Sequence, residues 1–235
     1  PSELLKFTLV FYFAKRLSKP KNGMNSFVNG FLPYIIILGV IGGIMFFQDH
    51  LSGAFVILVT GIIMLIVGGA KWSHIFTTGL CGGGAMIAFL MAKSYRLDRI
   101  SAYTDPFADK MNSGWQIIQG LYAIGSGGIF GRGLGQSRQK YLYLPEAHND
   151  YIYAVICEEL GLVGAIAVAL LFIAFVTFGL RLALRLQDKF ASLVAFGITF
   201  IIGFQYLVNV AVVTATIPNT GMQLPFFSAG GSSIL

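Results

Sequence analysis

Apolar runs free of charge dominate the chain. Asn22 to Gln48 carries no charge, and neither does Leu51 to Ala70. Trp72 to Ala92 contains only His74, Leu160 to Leu180 is clean, and Phe190 to Leu235 holds no Asp, Glu, Lys, Arg or His. The runs are continuous rather than alternating, so they read as helices and not as strands of a closed barrel. A helix crossing a hydrocarbon core needs about 20 apolar residues. This predicts spans near 31–48, 52–70, 72–92, 160–180 and 190–212, with a further, N-terminally clipped one over Leu4 to Leu17. The expected class is all-α: a polytopic transmembrane helix bundle, residues 1–235 forming a single integral membrane domain, with a large extracellular loop at 93–158.

Positive residues orient the spans. Lys15, Arg16, Lys19 and Lys21 follow the first, Lys71 lies between the third and fourth, and Arg181, Arg185 and Lys189 follow the fifth. Simple alternation puts all of them on one side, which the charge rule makes cytoplasmic. Gln48-Asp49-His50 then faces out, as does Lys93 to Glu158, a stretch long enough to fall largely outside the rule. Within it, Ile117 to Leu134 is apolar but punctuated by glycine, and reads as an interfacial or re-entrant segment. The tail Ile217 to Ser233 carries Pro218, Pro225 and Gly230-Gly231, and reads as a broken, partly re-entrant element.

Composition agrees with this and closes off other classes. The 235 residues are 56% hydrophobic and 11% charged, with mean hydropathy +0.75. A soluble domain carries about a quarter charged residues. A water-soluble enzyme, a disordered tail and a basic-patch nucleic-acid binder are therefore excluded, and the net charge of +6 belongs to orientation. Cys81 and Cys157 give neither a disulfide framework nor a metal-ligand spacing. Pro1-Ser2-Glu3 reads as the interior of a longer protein.

Against this background a few polar groups carry the chemistry. Glu3 and Lys6 are three apart and share a helix face. An ionised group inside a membrane costs roughly 3 kcal/mol on insertion scales, so they read either as a structural ion pair or as a pair lining a polar cavity. Leu144-Pro145-Glu146-Ala147-His148-Asn149-Asp150-Tyr151 is the densest polar segment, placed just before a helix. Asp150 fits a helix N-cap, which also keeps it ionised and able to take a proton. His148 fits an interface residue better than a metal ligand. Glu158-Glu159 is either a solvated helix face or a pair of buried partners for Arg132 or Lys140. Arg132, Arg138 and Lys140 suit phosphate, whether of a bound substrate or of lipid headgroups. Gly131-Arg132-Gly133-Leu134-Gly135 lacks the spacing of a nucleotide-binding loop.

Four motifs occur in order: Pro1-Ser2-Glu3-Leu4-Leu5-Lys6; Gly125-Ser126-Gly127-Gly128 with Gly131-Arg132-Gly133-Leu134-Gly135-Gln136; Lys140 and Leu144 through Ile152 with Glu158-Glu159-Leu160-Gly161; and Leu224-Pro225-Phe226-Phe227-Ser228-Ala229-Gly230-Gly231-Ser232-Ser233. Together they resemble the SEDS family of bacterial polytopic membrane proteins, which includes FtsW, RodA and SpoVE. The resemblance covers essentially the whole chain. It implies a peptidoglycan glycosyltransferase of the bacterial cytoplasmic membrane that polymerises lipid II, an undecaprenyl-pyrophosphate-linked substrate, in the outer leaflet beside a class B penicillin-binding protein. The family's essential outer-loop aspartate matches Asp150, and its intramembrane Glu/Lys pair matches Glu3 and Lys6. Asp49, Asn149 and Ala229 depart from the family's common residues and leave the subfamily open.

The reaction so implied needs one base and a stabilised leaving group. Asp150 would be the catalytic base. Glu3, Lys6, Arg132, Arg138, Lys140, Glu146 and His148 would bind substrate. The basic residues, alone or with a divalent cation (Mg or Mn), would neutralise pyrophosphate. A lipid II flippase and a non-catalytic division or elongation scaffold are the alternatives.

Overall fold

Each predicted span folds as a helix, and the interruptions fall at polar or glycine-containing segments. The computed structural model describes residues 2–19, 26–47, 51–90, 103, 114–145 and 147–229. Helix α1 is Ser2–Leu17, α2 Leu32–Phe47, α3 Leu51–Val67, α4 Trp72–Leu90, α5 Trp115–Gly127, α6 Gln139–Leu142, α7 Ile152–Arg185 and α8 Lys189–Val213. A π-helical turn, Phe27–Phe31, leads into α2, and Ser26 Oγ accepts the Asn29 N–H at its start. No strand occurs among the described residues. Phe27–Met45, Ile152–Arg185 and Lys189–Val213 are long and apolar enough to cross a membrane, and Ser52–Val67 is apolar but shorter. The expected all-α multi-span class is what forms. Lys21, Gln48 to His50, residues 91–113 apart from Tyr103, Glu146 and the tail from Gly230 lie outside the described residues.

Local chemistry sets the ends of the helices. Asp188 caps α8: its carboxylate accepts the N–H groups of Phe190 at 3.3 Å and Ala191 at 3.1 Å. Arg185 ends α7, where a cation complements the helix dipole. Exposed apolar residues on α2 recur at Ile36, Val40 and Ile44, and on α7 at Leu162, Ile166, Leu170 and Ile173. Three- and four-residue spacing places each set on one helix face. Such a stripe is a liability in water and is favourable against lipid tails.

The chain clusters into two compact units. The first comprises residues 1–88 and 175–203, the second residues 89–174 and 204–235. In the first, Phe13 meets Tyr34 edge-on at 5.1 Å, and the Arg16 guanidinium lies 4.9 Å from the Tyr34 ring. Small residues let its helices approach closely: a Cβ on Gly197 would lie 2.6 Å from Val10. The second unit packs α5, the start of α7 and the end of α8 around buried Ile117, Ala123, Tyr151, Ala154, Val212 and Leu224.

Helix α7 is broken inside its apolar run. Gly161 has φ 65° and ψ −161°, a conformation open to glycine almost alone. The segment 128–133 threads past this break and satisfies the backbone on both sides of it. Arg132 and Gly133 donate N–H groups to the carbonyls of Glu158 and Glu159, both at 3.0 Å. Leu162 and Val163 donate to the carbonyls of Gly128 and Ile129 at 2.9 and 3.2 Å. A side chain on Gly161 would run into the backbone of Gly131 and Ile129. Gly161→Ala is expected to cost at least about 1–3 kcal/mol from the backbone alone. Thermal unfolding in detergent checks this: the melting temperature falls by several degrees, whereas an unchanged value means that the break is dispensable.

Candidate functional site

Asp150 sits in a turn, residues 147–151, immediately before α7. The carbonyl of Tyr151 accepts the first helical N–H groups, from Ala154 at 2.9 Å and Val155 at 3.3 Å. Tyr151 therefore holds the N-cap position, and Asp150 lies one residue earlier than the N-cap reading placed it. A turn leaves carbonyls without ladder partners. Here the carbonyls of His148, Asn149 and Asp150 accept in succession from Ala229 N–H at 2.9 Å, Ser228 Oγ at 2.5 Å and Asn209 Nδ2 at 2.8 Å. Asp150 is half-buried. Tyr151 beside it is fully buried, and burial together with the Asp150 charge pushes its phenol well above the ordinary range, so it stays neutral.

The Gly-rich loop after α5 resolves the question of Glu158-Glu159. Glu158 is 1% exposed. Its carboxylate accepts Ser137 Oγ at 2.6 Å, Arg138 N–H at 3.1 Å and Gln139 N–H at 3.3 Å, and lies 3.9 Å from the Arg132 guanidinium. Glu159 accepts the N–H groups of Gly135 and Ser137 at 3.0 and 3.3 Å, and its Oε1 lies 2.6 Å from Lys140 Nζ. The loop amides thus cradle an anion, and the anion is the chain's own pair of carboxylates. Of the three cations expected to meet phosphate, Lys140 is neutralised by Glu159, Arg132 stands near Glu158, and Arg138 is exposed with no ion pair among the described residues.

The hydrogen bond to Glu159 raises Lys140. A raised base contributes stability below its unfolded value of about 10.4, lost as pH rises through its folded value. The melting difference between the protein and a Lys140→Met variant is therefore expected to be flat, on the order of 1 kcal/mol, up to about pH 10 and to shrink at higher pH. A difference that grows as the solution is made alkaline would contradict the pairing.

The other sequence-derived candidates are placed as follows. Glu3 and Lys6 form the expected ion pair in α1 of the first unit, Lys6 Nζ to Glu3 Oε1 at 2.6 Å, with the Lys6 side chain 3% exposed. His148 is exposed and is held through its carbonyl. Glu146 lies outside the described residues. Cys157 is a buried thiol within α7. No three His, Cys, Asp or Glu side chains converge as a metal site among the described residues, so the divalent cation has no protein cage there.

The chain as a whole is similar to known proteins. The profile of the FtsW/RodA/SpoVE family, described as cell cycle protein, matches residues 1–235. The chain belongs to the FtsW/RodA/SpoVE family. It is 41% identical over 235 residues to a probable peptidoglycan glycosyltransferase FtsW of Geobacter sp. (strain M18), and 43% identical over 234 residues to stage V sporulation protein E of Bacillus subtilis (strain 168). Both alignments take in 100% of this chain and 64% of the relative, so the chain spans just under two thirds of their length. Among solved structures it is similar to a chain of a peptidoglycan synthase complex described as coordinating polymerisation and crosslinking, at TM-score 0.77 and 26% identity, over 100% of this chain and 65% of that one. It is also similar to the rod shape determining protein RodA of Thermus thermophilus, at TM-score 0.65 and 27% identity, over 100% of this chain and 60% of that one. As a family member with several membrane-length helices, it is a multi-pass protein of the bacterial cytoplasmic membrane.

Two contacts of the Asp150 turn in this FtsW/RodA/SpoVE family member escaped the sequence reading. Asn209 and Ser228 hold the Asp150 turn, and neither stood among the candidates. The signal for Asn209 was present: a wholly buried amide within a charge-free helix needs partners. Ser228 belongs to the last quoted motif, which carried no assigned role.

Proposed function

We propose that the full-length protein is a peptidoglycan glycosyltransferase that polymerises lipid II at the outer leaflet during division, elongation or sporulation, with a class B penicillin-binding protein as partner. One observation carries the reading: the carboxylate of Asp150 stands on a turn whose backbone is tied at three successive carbonyls, so it is a fixed proton acceptor. The acceptor sugar's hydroxyl gives its proton to Asp150 and attacks the anomeric carbon of the donor. One C–O bond forms, the C–O bond to the lipid pyrophosphate breaks, and the diphosphate leaves. Arg138, with Arg132 beside Glu158, supplies the positive charge that meets it. Lys140 serves the loop instead, because Glu159 holds its ammonium. A single inverting displacement needs one base and not the carboxylate pair of a glycosidase.

A lipid II flippase is the second reading, favoured by the buried Glu3–Lys6 pair in α1, since intramembrane charges mark substrate paths. Detergent micelles separate the two, because they have no sides to cross. Purified full-length protein with its partner and lipid II in micelles is expected to yield glycan polymer. Lipid II translocation in liposomes, with no polymer in either preparation, would establish the flippase.

A further inference from the structure

The clasp on the Asp150 turn is built from two buried polar side chains, Asn209 and Ser228. Asn209 is 0% exposed. Its amide nitrogen has two hydrogens, and both are used: one reaches the Asp150 carbonyl at 2.8 Å, the other the Met222 carbonyl at 2.5 Å. Two carbonyl partners require the nitrogen end, which neither Asp nor Leu provides. Ser228 Oγ donates to the Asn149 carbonyl at 2.5 Å and accepts the Leu224 N–H at 2.8 Å, a double duty only a hydroxyl performs. A second thread fixes the neighbouring backbone. Asn219 Oδ1 accepts the Gly221 N–H at 3.1 Å, Asn219 Nδ2 donates to Gln116 Oε1 at 2.7 Å, and Gln116 Nε2 donates to the Pro145 carbonyl at 3.3 Å. It brings Gly221, at φ 62°, against the carboxylate: a Cβ there would lie 3.1 Å from Asp150 Oδ2.

We infer that Asn209 and Ser228 are positioning residues for Asp150, and that glycine at 221 is required because any side chain there would press on the carboxylate and turn it from the acceptor. This rests on the reading of Asp150 as the base. The two devices are independent: Asn209 and Ser228 act through the backbone, Gly221 through the space beside Oδ2. Displacing a reacting group by about 1 Å costs on the order of 100-fold in rate. The inference therefore predicts losses in turnover and not in substrate affinity.

The experiment is steady-state lipid II polymerisation by the full-length protein with its partner. It compares Ser228→Ala, Ser228→Thr, Gly221→Ala and Asn209→Leu with Asp150→Asn. Ser228→Ala and Gly221→Ala are expected to lower kcat about 10- to 100-fold with KM within about twofold. Ser228→Thr, which keeps the hydroxyl, restores most of the rate. Asn209→Leu follows the same pattern if it folds, and the Ser228 and Gly221 variants decide the matter if it does not. Unchanged kcat in Ser228→Ala and Gly221→Ala beside an inactive Asp150→Asn overturns the positioning inference and leaves the base in place. A raised KM at unchanged kcat assigns these residues to binding and overturns it as well. Polymer from Asp150→Asn removes the base reading and this inference with it.

Discussion

Glu158→Ala is expected to destabilise the protein by about 3–5 kcal/mol, the cost of breaking a buried, hydrogen-bonded charge constellation by removing one partner. The change strips the acceptor from Ser137 Oγ, Arg138 N–H and Gln139 N–H together, and each unmet buried donor costs about 1–3 kcal/mol. It also leaves the Arg132 guanidinium without the carboxylate at 3.9 Å. Against a total stability of about 5–15 kcal/mol, such a loss lowers the amount of folded protein recovered from membranes. Glu158→Gln keeps an acceptor in place and is expected to cost less than half as much. Chemical or thermal unfolding in detergent checks the order. Equal stability of Glu158→Ala and the parent would mean that water replaces the carboxylate, and that the loop does not depend on it.

The helices were legible because a membrane span announces itself over about 20 residues, and no distant contact is needed to recognise it. Trp72 and Lys189 begin helices within a residue or so of where the charges stop. The break at Gly161 was not legible. The same helix contains Gly164 and Gly179, which stay helical, and what singles out Gly161 is the backbone of residues 128–133, about thirty positions away in sequence. Glu158 and Glu159 posed the same difficulty: their surroundings are loop amides some twenty residues upstream, so sequence offered both a solvated and a buried reading. The motif Gly131 to Gly135 looks like an anion cradle and is one, filled from within. Asp150 stood out in the sequence as a candidate base just before a helix. Its distance from the cap was misjudged by one position, because Tyr151, whose ring packs against Gly120, takes the N-cap.

Asp150→Asn is the substitution with the largest expected effect on activity. Asparagine keeps the size of the side chain and cannot take up a proton at neutral pH. The backbone clasp from Asn209, Ser228 and Ala229 contacts only carbonyls, so the turn survives the change. Folding and membrane yield are therefore expected to match the parent. A positioned base contributes about 10²–10⁴-fold to rate, and loss of that factor takes polymerisation below detection in an ordinary gel assay. On the proposed role the carboxylate acts on the proton and not on the diphosphate, so binding of lipid II is expected to persist.

The decisive measurement is the gel-resolved glycan product of purified full-length Asp150→Asn protein, incubated with lipid II and its cognate penicillin-binding protein beside the unaltered protein. The account predicts a ladder of polymer from the unaltered protein and none from the variant at equal folded concentration. Strands of ordinary length and amount from the variant would contradict it.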